Sequence, residues 1–259
     1  MGTVLLSGLF ARYTVKREKG DAMTSRRTPI LAINFKAYPT AFGEKGLAIA
    51  LAADHVAAEY GGSLEVIVAV PATEIVRVSD AVEHVKVYSQ HADAVEPGPH
   101  TGFLPLEALR EAGARGTIIN HSEHRVGLND IDFVIRRATS LGMEVLVCAD
   151  TPTAAAAAAA LSPTMIAIEP PELIGTGIPV SRAKPEIVRE TVRLIRMINP
   201  EAVVLTGAGI TVGEDAVAAI RLGTQGVLVA SAVMKASDPE AKIRELAEAL
   251  ARAAEKELG

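Results

Sequence analysis

The sequence EVLVCADTPTAAAAAAALSPTMIAIE, residues 144–169, has the pattern of one strand–helix–strand unit. Both of its ends are short runs rich in Val, Ile and Leu, as expected for strands that are buried on both faces of a parallel sheet. Between them, Thr151 and Pro152 are a favourable cap and first-turn residue for a helix. The run Ala154–Ala160 that follows has high helix propensity. The stretch therefore predicts two parallel strands joined by a helix, the second ending in the charged residue Glu169.

The same alternation continues over residues 30–258. Strand-like runs fall at 31–35, 64–70, 85–90, 116–120, 144–149, 165–169, 202–206 and 226–230. Eight strand–helix units in a chain of this length favour closure into a (β/α)8 barrel over an open doubly wound sheet. No GxGxxG motif follows the first strand, which argues against a dinucleotide-binding sheet. We therefore predict an α/β fold with a single (β/α)8 barrel domain.

Several helix boundaries are predicted from capping residues. Gly142 directly follows a helical pattern and is suited to end it. Thr211 and Ser237 each precede a glutamate by three positions, Glu214 and Glu240 respectively. This is the spacing of a capping box, so each pair predicts the start of a helix.

The composition excludes several classes of protein. The chain has 259 residues and a net charge of −5 without a basic stripe, which argues against a nucleic-acid partner. No apolar run is long enough to predict a membrane span. The single Cys148 cannot form an internal disulfide and is typical of a reducing, cytoplasmic compartment. Residues 1–28 fit neither the barrel pattern nor a secretory signal, so we expect a flexible extension before a catalytic barrel at 29–259.

Polar side chains occur where several predicted strands end, which is where a barrel of this kind carries its reactive groups. Asn34 and Lys36 lie at the end of the first strand and are expected to share one face. His121 and Glu123 follow the fourth strand, and Glu169 ends the sixth. A histidine can polarise a carbonyl or transfer a proton, and a carboxylate partly removed from water is suited to act as a base. Taken singly, each has a structural alternative: a solvated lysine, a core histidine or an ion-paired glutamate.

Small residues follow the last three strands: Gly175–Gly177, Gly207–Gly209 and Ala230–Ser231. Their backbone N–H groups can approach a phosphate closely, and barrels often bind phosphate after strands seven and eight. We see no cluster of metal ligands, no nucleotide-binding P-loop and no serine-centred triad in the sequence. The residues therefore predict proton transfer, without a metal or cofactor, on a small phosphorylated carbonyl compound.

Three motifs at these strand ends, NFK (34–36), NHSEHR (120–125) and IEPPELIGTG (168–177), resemble those of the triosephosphate isomerase family in order and strand position. The resemblance covers residues 29–257. It implies a TIM barrel that interconverts D-glyceraldehyde 3-phosphate and dihydroxyacetone phosphate through an enediolate, in glycolysis and gluconeogenesis. The PPEL sequence after Glu169 is similar to the compact archaeal branch of the family. Membership of that branch implies a homo-oligomer, with a tetramer favoured over a dimer.

The resemblance also implies a role for each candidate residue. Glu169 corresponds to the base and His121 to the neutral electrophile, a pairing that is a known property of the family. Lys36 would offset the negative charge of the substrate and of the transition state, and Glu123 would contact the lysine region. The further substrate-binding positions that it implies are Asn34, Phe35, Ile174, Gly209, Ala230 and Ser231.

Two alternatives to this function remain open at the level of sequence. The first is another phosphosugar-binding barrel, such as a ribulose-phosphate epimerase or an indole-glycerol-phosphate-type enzyme, because one fold supports many reactions. An epimerase is expected to have paired acidic residues and metal-binding histidines at its strand ends, and we find no such set. The second is a phosphosugar-binding protein without catalytic activity, against which the full set of candidate residues argues.

Overall fold

The structure is a computed structural model that describes residues 28–170 and 183–257. Its eight strands are all parallel to their neighbours and form one closed barrel in chain order, with the last strand paired to the first. The strands are β1 (Ile30–Asn34), β2 (Glu65–Val70), β3 (Lys86–Ser89), β4 (Gly116–Ile119), β5 (Glu144–Ala149), β6 (Met165–Ile168), β7 (Val203–Thr206) and β8 (Gly226–Val229). The predicted α/β class, the (β/α)8 barrel and the single domain are confirmed.

Helices connect the strands and cover the outside of the barrel. The described helices are α1 (Gly43–Tyr60), α2 (Ile75–Ser79), α3 (Leu106–Glu111), α4 (Leu128–Leu141), α5 (Pro152–Ala160), α6 (Pro185–Ile198), α7 (Gly213–Arg221), α8 (Ser231–Met234) and α9 (Pro239–Glu257). A 3-10 turn at Ala72–Glu74 leads into α2, and the sequence pattern did not predict this short helical segment. None of the helices described in residues 28–170 and 183–257 is both long and apolar enough to cross a bilayer.

The helix caps confirm part of the sequence prediction and correct the rest. Thr151 caps α5, since its Oγ1 accepts the N–H of Ala154 at 3.1 Å, and Gly142 ends α4 in the left-handed conformation. The predicted cap by Glu214 is wrong, because Asp215 Oδ2 accepts the backbone N–H groups of residues 211 and 212. The predicted cap by Ser237 is also wrong, because Asp238 Oδ1 accepts the N–H of residue 241. In both cases an aspartate one position further along accepts the free N–H groups.

The alternation of side chains along each strand divides the core in two. Outward positions such as Leu31 and Ile33 pack against the helices, whereas inward positions such as Ile30 and Ala32 fill the barrel interior. Because side chains on a strand alternate with a period of two, the next inward position of β1 is Asn34. We call the end of the barrel at the C-terminal ends of the strands the barrel mouth. The strand pattern therefore delivers polar side chains to the mouth directly above an apolar interior.

The opposite end of the barrel is closed by a group of polar side chains. Lys86 Nζ lies 2.9 Å from a carboxylate oxygen of Glu65 and 2.8 Å from one of Glu144. The hydroxyl of Tyr88, which is fully buried, donates to the same Glu144 carboxylate. Burial and the neighbouring Glu144 raise the pKa of Tyr88 well above its ordinary value, so this phenol remains a hydrogen-bond donor. These contacts give Lys86 and Glu144 a structural role, away from the mouth.

Candidate active site

The histidine after β4 and the glutamate after β6 face each other across the barrel mouth. Nε2 of His121 lies 3.4 Å from Oε1 of Glu169. Both side chains are almost fully buried, with exposed fractions of 8% and 4% respectively. Met165, Ala167 and Glu169 occupy successive inward positions, so the strand period itself directs the carboxylate into the mouth. The fold thus brings a carboxylate and an imidazole together in a site largely shielded from water.

The hydrogen bonds of His121 fix which of its nitrogens carries the proton. The backbone N–H of Glu123 donates to Nδ1 at 3.1 Å, so Nδ1 is an acceptor and carries no proton. In the neutral ring the proton is then on Nε2, which points toward Glu169. A carboxylate oxygen of Glu123 lies 3.6 Å from Nδ1, which is too long for a hydrogen bond and involves a side chain that is 58% exposed. The backbone contact therefore determines the tautomer, and Nε2–H is available as a donor.

The side chain of Glu169 packs against Gly207, the residue that follows β7. A Cβ atom added to Gly207 would lie 2.6 Å from Cγ of Glu169, closer than nonbonded carbons approach. No nitrogen or oxygen donor of a described residue reaches Oε2 of Glu169, although this atom is buried. Below it, burial together with the charge of Glu169 raises the pKa of the Cys148 thiol well above its ordinary value. Gly207 thus provides the space that the carboxylate of Glu169 occupies.

Lys36 reaches the same mouth through a turn rather than along a strand. β1 ends at Asn34, and Lys36 has a φ of +48°, in the left-handed region that non-glycine residues seldom adopt. Asn34 Oδ1 accepts the backbone N–H of Lys36 at 3.0 Å, and the amide of Gln90 donates to the Lys36 carbonyl at 3.0 Å. Lys36 Nζ then lies 2.8 Å from Glu123, with 15% of its side chain exposed. The expectation of one shared strand face is therefore corrected: two side-chain hydrogen bonds hold a strained turn that directs the lysine into the mouth.

A second left-handed residue begins the loop that carries His121. Asn120 has a φ of +60°, its side-chain amide donates to the carbonyl of Cys148 at 2.9 Å, and its Oδ1 accepts the N–H of Val126 at 3.2 Å. Arg125 donates to the Asn120 carbonyl at 3.1 Å and pairs with Asp150 at 3.1 Å. The loop after β4 is therefore attached through Asn120 to Cys148 in β5 and through Arg125 to Asp150, which directly follows β5.

The remaining predicted site residues divide into three groups. Gly209, with a φ of +74°, and the Ala230–Ser231 step at the start of α8 follow β7 and β8 at the mouth. Phe35 is fully buried with its side chain in the outer part of the core, so only its backbone faces the mouth region. Ile174 lies outside the described residues, as do the predicted loop at 171–177 and most of the extension predicted at 1–28.

Two residues of this site, Gln90 and Cys148, were not assigned to it from the sequence, and Gly207 was assigned only to a phosphate-binding loop. Gln90 supports the Lys36 turn, Gly207 makes room for Glu169, and Cys148 lies next to Glu169 in the barrel interior. The alternation of side chains along each strand could have identified them. It places all three at inward positions, at or just below the mouth.

Comparisons of sequence and of fold with known proteins lead to the same family. The family model for triosephosphate isomerase matches residues 29–250. A triosephosphate isomerase from Caldivirga maquilingensis is 51% identical over 86% of this chain and 98% of its own. One from Methanocaldococcus jannaschii is 48% identical over 84% of this chain and 98% of its own. The crystal structure of triosephosphate isomerase from Bartonella henselae has a TM-score of 0.67 and 19% identity, covering 89% of this chain and 100% of that one, and so supports the fold.

Proposed function

Because this chain belongs to the triosephosphate isomerase family, we propose that it interconverts D-glyceraldehyde 3-phosphate and dihydroxyacetone phosphate. The observation that carries the proposal is the approach of His121 Nε2 to Glu169 Oε1 at 3.4 Å in a buried mouth. Such a pair can remove a carbon-bound proton on one side of a substrate and donate a hydrogen bond to its oxygen on the other.

Glu169 acts in this proposal as the base. Its carboxylate takes the proton from the carbon next to the substrate carbonyl, and the electrons of that C–H bond move to form the enediolate. Return of the proton to the neighbouring carbon, with transfer of a hydroxyl proton between the two oxygens, gives the isomer. The burial of Glu169 supports this role, because a carboxylate largely removed from water is suited to act as a base.

His121 and Lys36 stabilise the negative charge that develops on the substrate oxygens. The N–H on Nε2 of His121 would donate to the enediolate oxygen, since Nδ1 is already an acceptor. Lys36 would add a positive charge beside the same oxygens, held in place by the Asn34 turn and by Glu123. Neither step requires a metal ion or an organic cofactor.

The phosphate of the substrate would bind where β7 and β8 end. Gly209, Ala230 and Ser231 provide backbone N–H groups there without a bulky side chain in the way. The family resemblance adds Asn34, the backbone of Phe35, and Ile174 to the substrate contacts. A loop that closes over the enediolate would protect it from loss of phosphate, which is the expected role of residues 170–177.

A coupled assay with purified protein tests this function. Conversion of each triose phosphate into the other is expected in the presence of a chelator and without nucleotide. Activity only on pentose phosphates, or only with added metal, would instead favour another phosphosugar barrel. Tight binding of a phosphoglycolate-type enediolate mimic without turnover would favour a binding protein without catalytic activity.

The cellular setting follows from the same reaction. The product of one direction enters glycolysis and that of the other gluconeogenesis, so we infer a cytoplasmic enzyme, which the single unpaired Cys148 supports. We also infer a homo-oligomer, with a tetramer favoured over a dimer. Exposed apolar side chains of the described chain, including Phe42, Phe103 and Leu128, are suited to contacts between subunits. Light scattering tests this, and a fully active monomer would contradict it.

A further inference from the structure

Two histidines stack on each other beside the catalytic loop. The rings of His91 and His124 have centroids 3.9 Å apart and planes inclined by 20°. His91 is half-buried with 14% of its side chain exposed, whereas His124 is exposed. Among the described residues, the two stacked rings make no hydrogen bond or ion pair with the side chains of His121 and Glu169, so the proposed reaction leaves the stack without a role.

The stack joins the two loops that hold the catalytic groups. His91 directly follows Gln90, whose amide donates to the carbonyls of Lys36 and Ala69. His124 belongs to the turn that begins at His121, and its backbone N–H donates to the His121 carbonyl at 2.8 Å. The stack is therefore a side-chain bridge between the loop after β3 and the loop after β4, with Lys36 supported by one and His121 carried by the other.

The carboxylate nearest to His91 is already partly engaged by a backbone N–H group. His91 Nε2 lies 3.3 Å from Asp93, but the other oxygen of that carboxylate already accepts the N–H of Leu104 at 2.7 Å. Among the described residues, Asp93 and His124 are the charged or titratable groups recorded against His91. The neighbours of His124 along its own loop, Glu123 and Arg125, are paired with Lys36 and Asp150 respectively.

Burial and the neighbouring His124 lower the pKa of His91, although Asp93 acts in the opposite direction. A histidine whose pKa is lower in the folded protein destabilises that fold as the pH falls through its ordinary range. The contribution of the stack is therefore complete above about pH 6.5 and is lost below it.

We propose that the stacked pair His91–His124 positions the loop at 121–125, and that protonation of the pair in acid loosens this loop and with it His121 and Glu123. The catalytic consequence rests on the proposed isomerase function. The structural part concerns the stack alone and can be measured without substrate.

Two substitutions of His124 separate the ring from its charge. His124→Phe retains a stacking ring that cannot be protonated, and His124→Ala removes the ring. Between pH 7.5 and pH 5.5, the fall in kcat/KM should be about two- to tenfold smaller for H124F than for wild type. This factor corresponds to the energy of one aromatic pair. H124A should lose activity at both pH values. The substrate phosphate also titrates near pH 6, but equally for every variant, so the ratio between variants removes its effect.

His84→Phe is the matched control, because His84 is an exposed histidine near the opposite end of the barrel. It should follow the wild-type pH profile. Far-UV circular dichroism at both pH values shows that each variant stays folded. Identical pH profiles for wild type and H124F, or the same flattening in H84F, would overturn the proposal.

A second measurement keeps the proposal independent of the enzymatic function. Histidine ring signals followed by NMR without substrate should show His91 titrating at higher pH in H124F than in wild type, because the repulsion from a protonated His124 is absent. The protection of amide hydrogens from exchange in residues 116–126, corrected for the intrinsic pH dependence of exchange, should fall in acid more for wild type than for H124F. An unchanged His91 titration would refute the stack as a pH-responsive element, whereas an inactive wild-type protein would refute only the isomerase.

Discussion

Nε2 of His121 and Oε1 of Glu169 lie 3.4 Å apart, on loops that follow two non-adjacent strands of the barrel. Each of the two side chains is oriented by other residues. The Glu123 N–H orients the imidazole, and the inward parity of β6 together with the space at Gly207 orients the carboxylate. The pair is therefore held in place before any substrate binds, which is what electrostatic stabilisation of a transition state requires.

Gly207→Ala should lower activity without unfolding the protein. The new Cβ would lie 2.6 Å from Cγ of Glu169, so the carboxylate must move away from His121. Because a misplacement of about 1 Å can cost about 100-fold in rate, kcat should fall by roughly that factor. Gly98→Ala is the control, since its Cβ would meet no atom closer than 3.8 Å. Equal kcat values for wild type and G207A would show that this glycine does not position Glu169.

His121→Phe should remove the hydrogen-bond donor while roughly keeping the volume of the ring. Loss of one donor to a developing oxyanion lowers kcat by about 10²- to 10³-fold, with KM changing much less. Steady-state kinetics of H121F measures this. A fall confined to kcat/KM through a raised KM would contradict the assigned role, because it would indicate a contact made equally to substrate and transition state.

Glu123→Gln should have a smaller effect of a different kind. The backbone N–H that fixes the His121 tautomer remains, and only the pairing with Lys36 at 2.8 Å is weakened. Because the Glu123 side chain is more than half exposed, the pair contributes at most about 1 kcal/mol, or about fivefold in KM. Lys36→Met should lower kcat/KM much more, since it removes the charge that offsets both the substrate and the developing enediolate. Similar kcat/KM values for E123Q and K36M would contradict this division.

Lys86→Met should destabilise the barrel and leave kinetics unchanged, because Lys86 lies at the end opposite the mouth. Loss of its contacts removes the cation from Glu65 and Glu144, although Glu144 keeps the hydrogen bond from Tyr88, and should cost about 1–3 kcal/mol, reduced by the third of the side chain that is exposed. Urea unfolding measures this, with the exposed Lys45→Met on α1 as control. Although burial opposes it, pairing raises the pKa of Lys86, so its contribution should persist throughout neutral pH and be lost only in strong alkali. A drop in kcat for K86M at unchanged stability would contradict the structural role.

The barrel and most of its polar mouth could be predicted from the sequence. Asn34, His121 and Glu169 lie at or directly after the ends of apolar runs, and the closed topology follows from the number and spacing of those runs. The capping of α7 and α9 was misassigned, because the choice between adjacent acidic residues depends on the local backbone path rather than on spacing. The presence of a helix or strand is therefore easier to predict from sequence than the residue that caps it.

The parts that could not be predicted depend on contacts between distant segments. The left-handed turn at Lys36 depends on hydrogen bonds with both Asn34 and Gln90. The position of Glu169 depends on Gly207, the residue that follows β7. The stack of His91 on His124 likewise joins residues of two loops whose separation the sequence does not specify. Each of these relationships exists only once the barrel has closed.

The most direct test of the central claim is to follow the reaction in D2O by NMR for wild type and Glu169→Gln. The wild-type protein should isomerise the triose phosphates and place deuterium on the carbon next to the carbonyl. E169Q should lose both isomerisation and exchange by about 10²- to 10⁴-fold, the contribution of a positioned general base. Glutamine nearly matches glutamate in shape, so E169Q is expected to remain folded, which circular dichroism checks. Rapid isomerisation and exchange by a folded E169Q would contradict the assignment of Glu169 as the base.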